Sequence, residues 1–477
     1  MVIGLTLSIL ILILPAALLV QLLWPPKSLP RPPLLLRVAL GLGLGFGISS
    51  VLLFLWLMAV GTLSGVYLAA EASLALCSVA ALAYLCRKAG TPPEGVRRVV
   101  PGFDPRLTRL SAGALCVSVV SIVAAASAIA AREPHGAGDA SAIWNLIARL
   151  IYRGGGGWAD ALRHNLNWTH PDYPLLLPLS VARLWAYGGE TQLAPALLGL
   201  LFMLATLGLV VSSVSLLSTR TQGYLAGLVL LEPFFFFRTA TFQYADTPLG
   251  FFLLAALVLF SVYDRAPDGY GLLILAGLMA GFAAWTKNEG LLILLSIVAG
   301  RLVAVAASRR LRSYPRQLIY FSAGAVPLLL VVMYFKAVIA PANDLVAGQG
   351  LRATAERLSD LSRYLLILKA LINHFTGFRK WYAHPAYLLV VYAWLLGLKT
   401  GRGRRVTFLT LATALGLILA GYFFIYVTTP RDLEWQLTFS LDRLLIQLWP
   451  SFVLLFFLSV RAPEEAPARL SESDVPS

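Results

Sequence analysis

Charge is what this 477-residue chain has least of: Asp, Glu, Lys and Arg together make up 13% of it. A soluble domain carries roughly a quarter, so a water-exposed globular protein is excluded. Polar–apolar alternation is also missing from its long apolar stretches, which excludes an outer-membrane β-barrel. Cysteine is scarce, with three residues and no zinc-ligand spacing. Cys77 and Cys86 fall on one predicted helix, about 13 Å apart at 1.5 Å rise per residue, too far for a disulfide. Cys116 lies in the next span. The first apolar run, Val2–Trp24, lacks a basic n-region and a small-residue cleavage site, so it reads as a retained span. No internal repeat is evident, and the acids lie at helix ends rather than mid-span, which weighs against a secondary transporter.

What is present is hydrophobicity, 58% of the chain. Apolar runs fall near 3–24, 34–59, 62–85, 110–131, 193–217, 222–240, 246–263, 270–286, 290–306, 317–337, 383–399, 406–427 and 443–460. At about 20 residues per crossing, they predict an all-α polytopic membrane protein of about thirteen spans. The formal charge of +15 sits in short loops, the positive-inside pattern rather than a nucleic-acid-binding face. The clusters are Lys27, Arg31 and Arg37; Arg87, Lys88, Arg97, Arg98, Arg106 and Arg109; Arg309, Arg310, Arg312 and Arg316; and Lys399, Arg402, Arg404 and Arg405. A single alternation puts all four on the cytoplasmic side, the N-terminus outside and a disordered tail, 461–477, inside. Leu175–Tyr187 is too short to cross and is expected as a juxtamembrane or half-inserted helix of an outer loop. The large outer connections are then 132–192 and 338–382.

Candidate chemistry collects on that outer side. The first loop opens with Glu133, His135 and Asp139, followed by a helix with Ile143, Leu146, Ile147, Leu150 and Ile151 on one face. Ser141, Asn145 and Arg149 mark the other face, so the helix is expected to lie in the interface plane. Asp139 reads either as an N-cap or as a general base held at the membrane surface. The segment Trp168–Pro174, made rigid by two prolines, holds His170 and Asp172 at the entry of the short helix, as an ordinary turn or a site. Asp160 and His164 nearby leave a divalent metal open, and the sequence establishes no cofactor. Tyr244 and Asp246 precede a helix with Pro248 in its first turn, where capping is the plain alternative. Lys287 and Glu289 sit between two apolar runs, as a structural pair or as a site for a lipid-linked phosphate. Arg431, Asp432, Glu434, Asp442 and Arg443 precede the last span, and mutual salt bridges are one explanation for them.

The ordered segments GDASAIWNLIAR, HPDYPLLLP, YADTPLGFFLLA, GLMAGFAAWTKNEG and TTPRDLEWQLTFSLDRLL resemble the GT-C superfamily of membrane glycosyltransferases over about residues 110–460. Within it the chain is similar to the branch of protein O-mannosyltransferases, the lipid A aminoarabinose transferase and RgtA/B/C/D-like transferases. The resemblance implies a polyprenyl-phosphate-sugar donor, an inverting transfer, and a glycan, lipid or protein acceptor. It assigns Asp139 and Asp172 as catalytic acids of the first loop. It places Asp246, Tyr244, His170, Lys287, Glu289 and Arg443 around the donor and its phosphate. The segment 1–109 adds helices before the family core, and the large soluble domain of an oligosaccharyltransferase is not expected. A bacterial inner membrane with the site facing the periplasm fits, and an endoplasmic-reticulum membrane facing the lumen obeys the same physics. The rival readings are a transporter or lipid flippase, and another outer-face glycan enzyme such as an O-antigen ligase.

Overall fold

The computed structural model describes residues 1–25, 29, 32–88, 105–164, 169–342, 350–376, 385–399 and 404–465. Four helices come first: α1 (Val2–Leu23), α2 (Leu34–Val60), α3 (Gly65–Lys88) and α4 (Pro105–Arg132). The first large connection carries a π-helical turn at Ala140–Trp144, then α5 (Asn145–Arg153), α6 (Trp158–His164) and α7 (Leu176–Gly188). Next come α8 (Leu193–Leu217), α9 (Arg220–Leu231), α10 (Phe234–Thr241), α11 (Asp246–Tyr263), α12 (Tyr270–Thr286), α13 (Glu289–Ala307) and α14 (Tyr314–Val338). The second large connection holds α15 (Leu351–Ser359) and α16 (Leu361–Thr376), and α17 (Pro385–Leu396), α18 (Arg405–Thr428) and α19 (Leu433–Ser459) complete the chain.

Among the described residues, ten helices are long and apolar enough to cross a bilayer, or eleven if α9 and α10 form one broken span. The chain is thus an all-helical, multi-pass membrane protein. The expected run of thirteen reduces because α12 and α17 are short. The run at 222–240 is also not one straight helix: α9 and α10 meet at a 70° bend. Pro233 stands at that break, where it has no backbone N–H to continue the ladder.

Glycine spacing explains how α2 sits in the interior. A Cβ on Gly41 or Gly45 would press on Ala17 or Leu12 of α1, and one on Gly43 or Gly47 would meet Phe251 of α11 or Phe282 of α12. Small residues four apart on two faces let backbones approach from both sides, the usual device for packing helices in lipid. The helices before residue 110 are therefore built into the same apolar core as the rest.

One expectation about the first loop changes. The helix of residues 145–153 does not lie free on lipid; Ile147, Ala148 and Ile151 are buried against protein, and so is Asn145 from the expected polar face. Helix α7, 13 residues and not among the candidate spans, is embedded in protein, with Leu176–Trp185 buried throughout. Its Arg183, 0% exposed, reaches α3 and α1. There it donates from Nε to both Glu71 oxygens at 2.8 and 2.9 Å, and from Nη1 to Ser8 Oγ at 2.6 Å. Tyr67, Tyr187 and Ser49 also donate to Glu71, at 3.1, 2.9 and 2.7 Å. A charge this deep persists only where it is paired and every acceptor is used.

Helix ends sort by chemistry. The first loop, the 242–245 turn, the 287–288 turn and the α18–α19 turn share one end. Arg87, Lys88, Arg265, Arg309, Arg310, Arg312, Lys399, Arg404 and Arg405 cap or flank helices at the other, hereafter the basic end. The tail begins ordered: Glu464 is buried and accepts from Thr219 at 3.1 Å, and Lys399 Nζ lies 3.4 Å from Glu465. The remainder of the expected disordered tail, 466–477, lies outside the described residues.

Candidate active site

The first loop is pinned beside α11 by its own backbone. Gly136 has φ +70°, and a Cβ there would meet Ala140 and the Phe242 carbonyl at 2.7 and 2.8 Å, so only glycine fits the turn. Asn145 donates to Gln243 Oε1 at 2.7 Å, and Gln243 Nε2 donates to the Pro134 carbonyl at 3.3 Å. These bonds set Asp139 over the start of α11. The α12–α13 turn is equally constrained. A Cβ on Gly290 would fall 1.9 Å from the Ala283 carbonyl, so glycine lets α13 begin directly behind Lys287–Asn288–Glu289. Close approach of α11 and α19 at Gly250 and Gln447 brings Arg443 and Gln447 of α19 onto Asp246.

The result is one continuous polar cluster at the helix ends. Arg443 of α19 donates from Nη1 to Asp139 Oδ2 at 2.6 Å and from Nε and Nη2 to Asp246 Oδ2 at 3.1 and 2.9 Å. Its guanidinium lies over the Tyr244 ring, 4.4 Å from the centroid. The other Asp246 oxygen accepts from Lys287 Nζ at 3.1 Å and from Gln447 Nε2 at 2.5 Å, while Tyr422 donates to Gln447 at 2.6 Å. Lys287 also lies 2.8 Å from Glu289 Oε1. On the other side of the turn, Asn288 donates to Asp172 Oδ2 at 2.7 Å and accepts from Lys336 Nζ at 2.6 Å. Lys336 additionally donates to the Asp172 carbonyl and lies 3.4 Å from its carboxylate.

Exposure separates roles inside this cluster. The Asp246 and Lys287 side chains are 0% and 4% exposed, whereas Asp139 is 35% and Lys336 28% exposed. Asp246 takes four donors, which fills the acceptor sites of a carboxylate. It is an anchor for Arg443 and Lys287 and has no room for a ligand. Asp139 uses only Oδ2; its Oδ1 accepts from no described residue. Glu289 Oε2 is buried and unpartnered among the described residues. Burial disfavours the Lys287 charge, but Asp246 and Glu289 outweigh it and hold its pKa above the ordinary lysine value. Burial, with the Asp139 charge next, pushes the Tyr244 phenol up.

Family models, curated proteins and solved structures were compared with the chain, and nothing matches. The cluster must therefore be read on its own chemistry.

The structure brings Asp139, Asp172, Tyr244, Asp246, Lys287, Glu289 and Arg443 together. It does not use their carboxylates as caps: neither Asp139 nor Asp246 makes a side-chain capping bond, and Leu175, not Asp172, stands at the N-cap of α7. Lys287 is a structural pair with Glu289 and more, since Asp246 holds it as well. Against the mutual salt bridges expected in 431–443, the described partners of Asp442 and Arg443 lie outside the segment, on His374, Asp139 and Asp246. Helix α19 starts ten residues before the expected span, Asp432 caps it by accepting from Trp435 N at 2.7 Å, and Asp442 pairs with His374 Nδ1 at 2.7 Å. Neighbours on a helix point about 100° apart, so Asp442 and Arg443 face different partners.

His170 sits one layer out. Its φ of +50° turns the ring onto Tyr173, with centroids 5.1 Å apart, and Tyr173 stacks in turn on Trp144 at 5.4 Å. Lys287 Nζ lies 5.8 Å from the Tyr173 centroid, which links this stack to the cluster. His135 meets Gln192 at 3.2 Å, away from the acids, and the His164 side chain and Asn165–Trp168 lie outside the described residues. Among the described residues no three His, Cys, Asp or Glu side chains are gathered to hold a metal ion. Reading the sequence missed Lys336, Gln447 and Tyr422, and gave Asn288 no role. Lys336 was legible in principle, as an ionisable residue closing an apolar run; the other two are ordinary inside a span.

Proposed function

We propose that this chain is a glycosyltransferase that moves a sugar from a polyprenyl-phosphate donor to an acceptor hydroxyl at the outer face of a bacterial inner membrane. The observation that carries the reading is the open Oδ1 of Asp139, held beside an Arg443 guanidinium that is anchored on fully satisfied Asp246. In this account Asp139 Oδ1 takes the proton of the acceptor hydroxyl as its oxygen attacks the anomeric carbon. The bond from that carbon to the phosphate oxygen breaks, its electron pair stays on the phosphate, and the configuration inverts. Arg443 and Lys336, the more accessible cations, meet the growing phosphate charge, with Lys287 adding its field from beneath. Asp172 fixes Lys336 and Asn288, and Glu289 Oε2 is left to accept from a sugar hydroxyl. The polyprenyl chain stays in lipid alongside the bundle, and the basic end, by the positive-inside rule, faces the cytoplasm.

The test is transfer of radiolabelled sugar in proteoliposomes from polyprenyl-phosphate donors and, in parallel, from nucleotide sugars. Transfer that requires the polyprenyl-linked donor supports the reading. Absence of transfer from every donor, together with solute uptake or lipid scrambling, replaces it with transport.

A further inference from the structure

A second built site lies at the basic end, remote from the acidic cluster. A cavity of about 500 Å³ opens between the ends of α8, α11, α17, α18 and α19. Its wall is apolar, with Leu411 fully buried at its base and Phe408 and Leu398 48% and 61% exposed at its mouth. Four cations, Arg265, Lys399, Arg404 and Arg405, line the same space.

Their counter-charges are few and committed. The Lys399 side chain, 7% exposed, donates to Ser218 Oγ at 2.8 Å and lies 3.4 Å from Glu465. Asp264, at this end of α11, accepts from Arg301 Nη2 and Nη1 at 2.7 and 3.1 Å and from Thr407 at 2.7 Å. Arg265 donates to the Leu217 carbonyl at 2.9 Å. Arg404 and Arg405 make no side-chain hydrogen bond or ion pair with another described residue. Burial pushes the Lys399 amine down to about 8, with Glu465 opposing and Arg404 and Arg265 adding to the shift. Among the described residues, Arg404 and Arg405 thus bring to the cleft positive charge that no carboxylate pairs with.

We propose that this cleft binds an anionic phospholipid, its phosphate among Lys399, Arg404 and Arg405 and an acyl chain along Phe408 and Leu411. A free phosphate shares the headgroup chemistry, but the apolar wall and the exposed Phe408 and Leu398 are made for a chain arriving from the bilayer. Basic pockets between membrane helices recognise such headgroups.

The experiment uses the full-length chain in a neutral detergent. Native mass spectrometry and thermal unfolding are followed with phosphatidylglycerol, phosphatidylcholine and inorganic phosphate. The comparison is wild type, Arg404→Ala/Arg405→Ala, which alters one half-buried and one exposed side chain, and Arg309→Ala/Arg312→Ala, which removes the same charge from another loop at this end. The wild type and the 309/312 variant retain and are stabilised by phosphatidylglycerol over phosphatidylcholine, and the 404/405 variant binds it about tenfold more weakly. Equal retention by all three proteins overturns the proposal. Equal loss in both variants, which marks diffuse surface charge, overturns it too. So does stabilisation by inorganic phosphate alone that matches the lipid.

Discussion

Arg443 and Asp246, 197 residues apart in sequence, meet through two N–H donors on a single carboxylate oxygen, Nε at 3.1 Å and Nη2 at 2.9 Å. That fork leaves Nη1 to reach Asp139 at 2.6 Å, so one guanidinium ties the first loop to α11 and α19. A planar group with fixed donors makes such a bridge; a point-charge ammonium on a flexible stem does not.

Arg443→Lys therefore keeps the charge and loses the bridge. Transfer activity should fall by about 10²–10³, the cost of removing one donor aimed at developing charge. The check is single-turnover transfer by the purified variant, with thermal unfolding to show that it folds. Retained wild-type rates would mean that Arg443 serves only to hold the helices.

Asp246→Asn should damage the fold before it damages chemistry. The change takes one of two carboxylate partners from both Lys287 and Arg443 at a fully buried position, and breaking a buried pair costs up to about 3–5 kcal/mol. Scanning fluorimetry in detergent should show a clear drop in Tm. Asp139→Asn, at a side chain 35% exposed, should leave Tm nearly unchanged.

The Arg183–Glu71 pair makes a separate prediction about assembly of the bundle. Arg183→Met alone strands the Glu71 carboxylate between α3 and α7 and should cost about 3–5 kcal/mol, while Glu71→Leu/Arg183→Met should recover most of it. Unfolding of the wild type, both single variants and the double variant completes the cycle. A double variant as unstable as the singles would show that the network supplies more than charge pairing.

Glu289→Gln should weaken donor use more than stability. It keeps the shape and removes charge at the oxygen left unpartnered beside Lys287. A rise in KM for the sugar donor, with a Tm loss smaller than that of Asp246→Asn, is the expected pattern. A kcat loss with KM unchanged would assign Glu289 to the chemical step instead.

Membrane class, helix content and the candidate acids could all be read from the chain, because apolar run length and the rarity of charge are local properties. Partners could not. Asp139, Asp172 and Asp246 each stand at a helix entry, where capping is the local expectation, yet each carboxylate bonds to a side chain far off in sequence; for Asp139 the partner is 304 residues away. Residues 433–442 read as loop because Glu434, Asp442 and Arg443 dilute the apolar run, although all three lie on α19. Gln447 carries no local signal, since a lone amide inside a span gains its meaning only from the carboxylate opposite.

The central claim is that Asp139 is the proton acceptor, and the most direct measurement is release of polyprenyl phosphate from a labelled sugar donor by Asp139→Asn and wild type in the same proteoliposomes. The account predicts that the variant binds donor, keeps its Tm and loses product formation by about 10²–10⁴. Full turnover by Asp139→Asn would contradict it.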